Sequence, residues 1–300
     1  MTMHRNQLRV PLEVVCDLVL SQFPQWAELA ITQVESEGTV NAIFRVGDEL
    51  VARFPLQSGN ADEILQGLRS EAEAARELLE NTSFPVPKPV AIGEPGMGYP
   101  LAWSVYTWLP GTTATHEDVS TSADFASDLA AFIEEVRGIN VRGRTFTGNG
   151  RGGDLQSHDE WIDLCLERSG QLVDVRRLRE IWKSLRELPR ESPDVMTHGD
   201  IVPGNVLVSG GRLAGILDVG GLGPADPALD LVGAWHLLEA GPRKVLRDLL
   251  SCDPLEWERG KAWAFQQAMG AVWYYVDSNP AMSRMGQRTI DRILADESNR

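Results

Sequence analysis

Residues 197–231 read THGDIVPGNVLVSGGRLAGILDVGGLGPADPALDL, and this stretch decides the fold. The short apolar runs NVLV and LAGILDV flank Gly210-Gly211, the pattern of a β-hairpin. Asp200 and Asn205 fall on the loop before it, and Asp218 falls where the returning strand ends. A hard cation such as Mg²⁺ takes oxygen ligands and keeps its affinity for phosphate, so Asn205 and Asp218 are the candidate metal ligands. Asp200 is then left to act as a base. Phosphoryl transfer passes through a loose transition state that asks the protein mainly to position a hydroxyl and neutralise charge, and this constellation supplies both parts. Asp226 and Asp230, beside Pro227 and before an apolar run, read as helix-capping and loop-bracing residues.

Upstream, residues 8–30 read as one or two short helices with Trp26 and Leu29 in the core. NAIFRV and ELVARF, joined by Gly47-Asp48, form a second hairpin. Residues 62–80 carry a helical pattern that stops before the prolines of FPVPKPV. PLAWSVYTWLPG is a further strand, and Pro110-Gly111 marks the exit from a small lobe. The expected division is 1–107 and 108–300. From Ala123 the apolar positions recur at helical intervals; Ser157–Glu160 fits a capping box, and a helix through Val175, Leu178, Trp182 and Leu185 ends at Pro189. The chain is helical again from Ala228. The G-x-G-x-x-G match at 148–153 lacks a preceding strand and reads as part of a flexible loop over 143–156.

The balance of 28 Lys+Arg against 43 Asp+Glu gives a net charge of -15, which argues against nucleic acid and suits a cationic small molecule. No apolar run reaches bilayer length and no signal peptide is visible, so a cytoplasmic location is expected and no membrane partner. The three cysteines are too dispersed for a disulfide framework or zinc knuckle.

His198-Gly199-Asp200, Asn205, Leu217-Asp218-Val219-Gly220, Asp226-Pro227 and Asp230-Leu231 together resemble the signature of the aminoglycoside and macrolide phosphotransferase family. ESEGTVNAIFRV resembles its phosphate-covering hairpin, and RSEAEAARELLENTSFPVPKPV its helix and Pro-rich strand. The resemblance implies an α+β, protein-kinase-like fold of two lobes: a small antiparallel sheet with a helix, then a larger helical lobe. It implies that Asp200 is the catalytic base, that Asn205 and Asp218 hold magnesium and that His198 braces the catalytic loop. ATP or GTP would be covered by Gly38, Thr39 and Asn41. Val51 and Arg53 share one strand face, from which Arg53, in the place of the usual lysine, reaches the phosphates with Glu71 or Glu73 as its partner. Ser104, Val105 and Tyr106 would offer backbone groups to the purine. The C-terminal aromatics Trp263, Phe265, Trp273, Tyr274 and Tyr275 read as helix core, with Trp235, Tyr274 and Asp277 as candidate substrate contacts. The implied reaction is phosphorylation of an antibiotic hydroxyl; relatives on this fold also serve amino alcohols, sugars or homoserine-like metabolites, and the arginine keeps a nucleotide-binding regulatory protein in view.

Overall fold

A computed structural model describes residues 8–34, 40–148 and 150–298. The chain divides into two compact units, one of residues 1–80 and 85–110, the other of residues 81–84 and 111–300.

In the first unit, α1 (Leu12–Gln22) precedes β1 (Ile31–Val34), β2 (Asn41–Val46) and β3 (Leu50–Pro55), followed by α2 (Ala61–Leu79), β4 (Pro89–Gly93) and β5 (Trp103–Thr107). The sheet order is β1-β2-β3-β5-β4, antiparallel throughout. Gly47, at φ +60°, makes the β2–β3 turn. Strand alternation sends Phe44, Ala52, Phe54, Trp103 and Val105 into one core, which α1 closes with Val15, Leu18 and Val19. Arg53, Ser104 and Tyr106 occupy the alternate positions, on the face that α2 covers. Asn60 caps α2 by accepting the Asp62 N–H, and Ala72, Ala75 and Leu78 are its buried stripe. Trp26 is partly buried against the α1 core, whereas Leu29 is 40% exposed, contrary to the core position expected of it. It lies beside the Gly47 turn, whose glycine has no side chain to cover it.

The second unit opens with β6 (Thr112–Thr113), α3 (Ala123–Arg137), α4 (Asp159–Arg168) and α5 (Val175–Leu185). Then follow β7 (Val195–Thr197), β8 (Val206–Ser209), β9 (Arg212–Ile216) and β10 (Gly223–Ala225), and the helices α6 (Val232–Leu237), α7 (Ala240–Leu249), α8 (Pro254–Tyr274) and α9 (Pro280–Ser298). The expected hairpin is β8–β9, extended by β6; β10 pairs with β7. The capping box expected at Ser157 does not form. Asp154 instead caps a short 3-10 turn by accepting the Gln156 N–H, and the Ser157 hydroxyl donates back to the Asp154 carbonyl. No described helix is long and apolar enough to cross a membrane.

Candidate active site

The pairing of β7 with β10 holds the loop after β7 beside the segment that follows β9. Three interactions then fix the loop. The fully buried Asp230 carboxylate accepts the N–H groups of His198 and Gly199, both at 2.8 Å. Burial pushes the Asp230 carboxyl above its ordinary value, against the pull of these backbone donors. Gly199 adopts φ +82°, a left-handed conformation that suits glycine. The His198 ring is completely buried; its Nε2 donates to the Leu217 carbonyl at 3.1 Å and its Nδ1 accepts the Asp200 N–H at 3.3 Å. His198 therefore ties the Asp200 loop to the residue before Asp218, in a tautomer set by its partners.

The Asp200 carboxylate is held at both oxygens. Oδ1 accepts from Arg151 Nη2 at 2.9 Å and Gln267 Nε2 at 2.7 Å, and Oδ2 accepts from Asn205 Nδ2 at 2.9 Å. Burial alone would raise its pKa, but the Arg151 charge and the hydrogen bonds from Arg151 and Gln267 outweigh that and hold it below the usual carboxylate value. An ionised carboxylate offers about four lone-pair positions. The three donors leave one, on Oδ2.

Asn205 ends a short 3-10 turn, Pro203–Asn205, and its Nδ2 also donates to the Asp200 carbonyl at 3.0 Å. With Nδ2 turned to Asp200, Oδ1 is the end that a metal can take. Asp218 is exposed and sits at φ +57°, uncommon for a residue with a side chain. One amide oxygen and one exposed carboxylate fit magnesium, which usually takes one or two protein ligands and completes its shell with phosphate and water. Among the described residues no cluster of three or more His, Cys, Asp or Glu side chains could hold a metal alone.

In the first unit Arg53 pairs with Glu71, not with Glu73, which faces solvent. Both partners are largely shielded, and the Arg53 guanidinium lies 5.6 Å from the Tyr106 ring. Asn41 opens β2 opposite Pro55, and Val51 lies opposite Tyr106. Gly38 and Thr39 lie outside the described residues.

Several expectations need correction. Ser104, Val105 and Tyr106 lie within β5, whose backbone pairs with β3 on one side and β4 on the other, so those groups are not available to a purine. Trp235 is fully buried between Trp257 and the cations of Arg243 and Lys261, a core position and not a substrate wall. Trp263 and Phe265 are core as expected, but Tyr274 is 45% exposed, and Asp277, just beyond α8, is exposed too. Within the loop expected to be flexible, residues 152 and 153 are anchored: Gly152 O accepts from Asp226 N, and Gly153 O from Arg259. The roles of Arg151 and Gln267 have no counterpart in the sequence reading; an arginine set among glycines was the one available signal. Asp226 caps the turn at Pro227 as expected, and also forms a buried ion pair with Arg259.

The model of the phosphotransferase enzyme family matches residues 31–263. An aminoglycoside 3'-phosphotransferase from Escherichia coli is 32% identical over 144 residues, covering 46% of this chain and 53% of that protein. The chain thus matches about half the length of this curated relative. Among solved structures, the GDP complex of wild-type aminoglycoside 2'-phosphotransferase-IIIa superposes with a TM-score of 0.68 at 18% identity, covering 94% of this chain and 98% of the other. The macrolide 2'-phosphotransferase from Brachybacterium faecium gives a TM-score of 0.62 at 18% identity, with 93% and 97% covered. At such identities the likeness establishes the fold, whereas the family match spans most of the chain and includes every residue around Asp200 except Gln267. By that match, the chain belongs to the phosphotransferase enzyme family.

Proposed function

We propose that the protein transfers the γ-phosphoryl group of ATP or GTP to a hydroxyl of a small-molecule antibiotic of the aminoglycoside or macrolide type, with magnesium. The observation that carries this reading is the Asp200 carboxylate: ionised, immobilised by three donors, and left with one lone-pair position on Oδ2. That position accepts the acceptor's hydroxyl proton. The acceptor oxygen then bonds to the γ-phosphorus as the bond to the leaving nucleoside diphosphate breaks, and the proton ends on Asp200. Magnesium, when bound, neutralises charge on the phosphates, and Asn205 Oδ1 and Asp218 are the groups that would hold it. Arg53, oriented by Glu71, would steady the nucleotide phosphates.

The same proposal sets the acceptor along α8. Gln267 touches Asp200, and Tyr274 lies seven residues on, about 10 Å along the same helix face. Between them Gly270 is covered by Trp161, itself 38% exposed. An exposed indole and phenol leading from the base, with Asp277 beyond them, offer an amino sugar an apolar platform and a counter-charge.

The test is transfer of phosphate from ATP and GTP, with magnesium, to a panel of aminoglycosides, macrolides and amino-alcohol metabolites, read as mass gained by the acceptor. A phosphorylated antibiotic supports the proposal; turnover of a metabolite alone overturns the antibiotic assignment and keeps the chemistry.

A further inference from the structure

We infer that Arg151 is a ligand of the phosphoryl group in flight. This inference rests on the phosphotransfer reading of Asp200 and adds a residue to it. Arg151 Nη2 donates to Asp200 Oδ1, while its Nη1 is buried and has no hydrogen-bond partner in the protein. A guanidinium N–H with nothing to donate to, set beside the base, keeps a charged donor to offer an anion that binds there.

The arm that carries it is fixed. Gly152 stands at φ +99°, and a Cβ there would come within 2.6 Å of the Ala225 side chain. Its carbonyl accepts the Asp226 N–H at 3.0 Å, and the neighbouring Gly153 carbonyl accepts from Arg259 at 3.2 Å. Arg259 is locked in turn by its buried pair with Asp226, 2.6 Å away. The loop therefore presents Arg151 from a preorganised backbone, as electrostatic stabilisation of a transition state requires.

The chemistry selects the ligand. On the phosphotransfer reading the acceptor hydroxyl docks on Asp200 Oδ2, and the phosphorus it attacks comes up beside the carboxylate that Arg151 holds. As the bond to the nucleoside diphosphate breaks and the bond to the acceptor oxygen forms, charge spreads over the equatorial oxygens of that phosphorus. Nη1 donates to one of them while Nη2 keeps Asp200 in place. A polycationic acceptor would be repelled by the same group, which favours the phosphate over the acceptor as its partner.

The experiment compares wild type with Arg151→Gln and Arg151→Lys, by calorimetric binding of magnesium and nucleoside diphosphate with and without aluminium fluoride, a mimic of the transferring group. Glutamine retains a donor for Asp200 and loses the charge. The expected result is unchanged diphosphate affinity and a loss of about 100-fold in the aluminium fluoride complex for Arg151→Gln, partly restored by Arg151→Lys. Equal binding of the mimic by wild type and Arg151→Gln overturns the inference and leaves the phosphotransfer reading intact. A wild-type protein that binds the diphosphate but never the mimic overturns both.

Discussion

Gln267 Nε2 lies 2.7 Å from Asp200 Oδ1, and its Oε1 lies 3.0 Å from His236 Nε2. The carboxylate only accepts, so the amide end is fixed as donor and Oε1 must accept from His236. His236 is enclosed, and burial pushes its pKa down to about 4, so the neutral ring carries its hydrogen on Nε2 and Nδ1 meets the Thr289 hydroxyl at 2.9 Å. The base is thus oriented by a chain of groups on α8, α6 and α9. Gln267→Leu should lower kcat by about 10-fold with the acceptor KM little changed. Gln267→Glu sets a second carboxylate against Oδ1, and the acid limb of the kcat/KM profile should move to higher pH. An acid limb identical to wild type in Gln267→Glu would show that Gln267 merely fills space.

Asp230 answers for two buried N–H groups at once, those of His198 and Gly199. Asp230→Ala orphans both, at a cost of about 3 kcal/mol or more. Asp230→Asn keeps one acceptor oxygen and should lose less. Urea unfolding of the two variants checks the order; equal stability to wild type in Asp230→Ala would refute the bracing role.

What was legible in the sequence, and what was not, follows from sequence distance. His198, Asp200, Asn205 and Asp218 fall within one loop and hairpin, so turn residues and strand length alone bring them together. Arg53 and Glu71 needed only strand alternation and a helix count. Arg151 and Gln267 meet Asp200 across separations of 49 and 67 residues, and no local pattern encodes such a contact. The purine-facing backbone was misplaced for a related reason: composition marks Ser104–Tyr106 as a strand but does not reveal a neighbour on each side. Trp235 shows the same blindness, since an aromatic on a short helix gives no sign that Trp257, Arg243 and Lys261 enclose it.

Gly93 ends β4 against Trp103, and a Cβ there would lie 2.1 Å from a ring atom. Trp103 cannot withdraw freely, because it stacks on Phe54 with centroids 4.7 Å apart. Gly93→Ala should destabilise the first unit by about 1–3 kcal/mol. Gly67, with open space around its Cβ position on α2, is the control: Gly67→Ala should stabilise by about 0.5–1 kcal/mol. Thermal unfolding of both variants reads the contrast, and a stable Gly93→Ala would contradict the packing.

Arg53→Ala should raise the nucleotide KM by about 10-fold or more and leave the acceptor KM near wild type, while Arg53→Lys should recover part of the loss. Glu71→Gln tests the pair from the other side. If Arg53→Ala leaves nucleotide KM unchanged, Arg53 does not meet the phosphates.

Asp200 couples activity to stability with a definite sign. Its folded pKa lies below the ordinary value, because the lowering by Arg151 and Gln267 exceeds the rise due to burial. The stabilisation it contributes is therefore present above the unfolded carboxylate pKa of about 4 and is lost as pH falls through the depressed folded value. Asp200→Asn removes both the base and this linkage, and turns an amide donor toward groups that themselves donate. Turnover should fall by about 100-fold or more with nucleotide affinity retained. The stability gap between variant and wild type should be widest at neutral pH and narrow on acidification, which calorimetry across that range measures directly. A gap that widens toward acid would mean that Asp200 is neutral in the folded protein, and with that its role as the ionised acceptor of the hydroxyl proton would be lost.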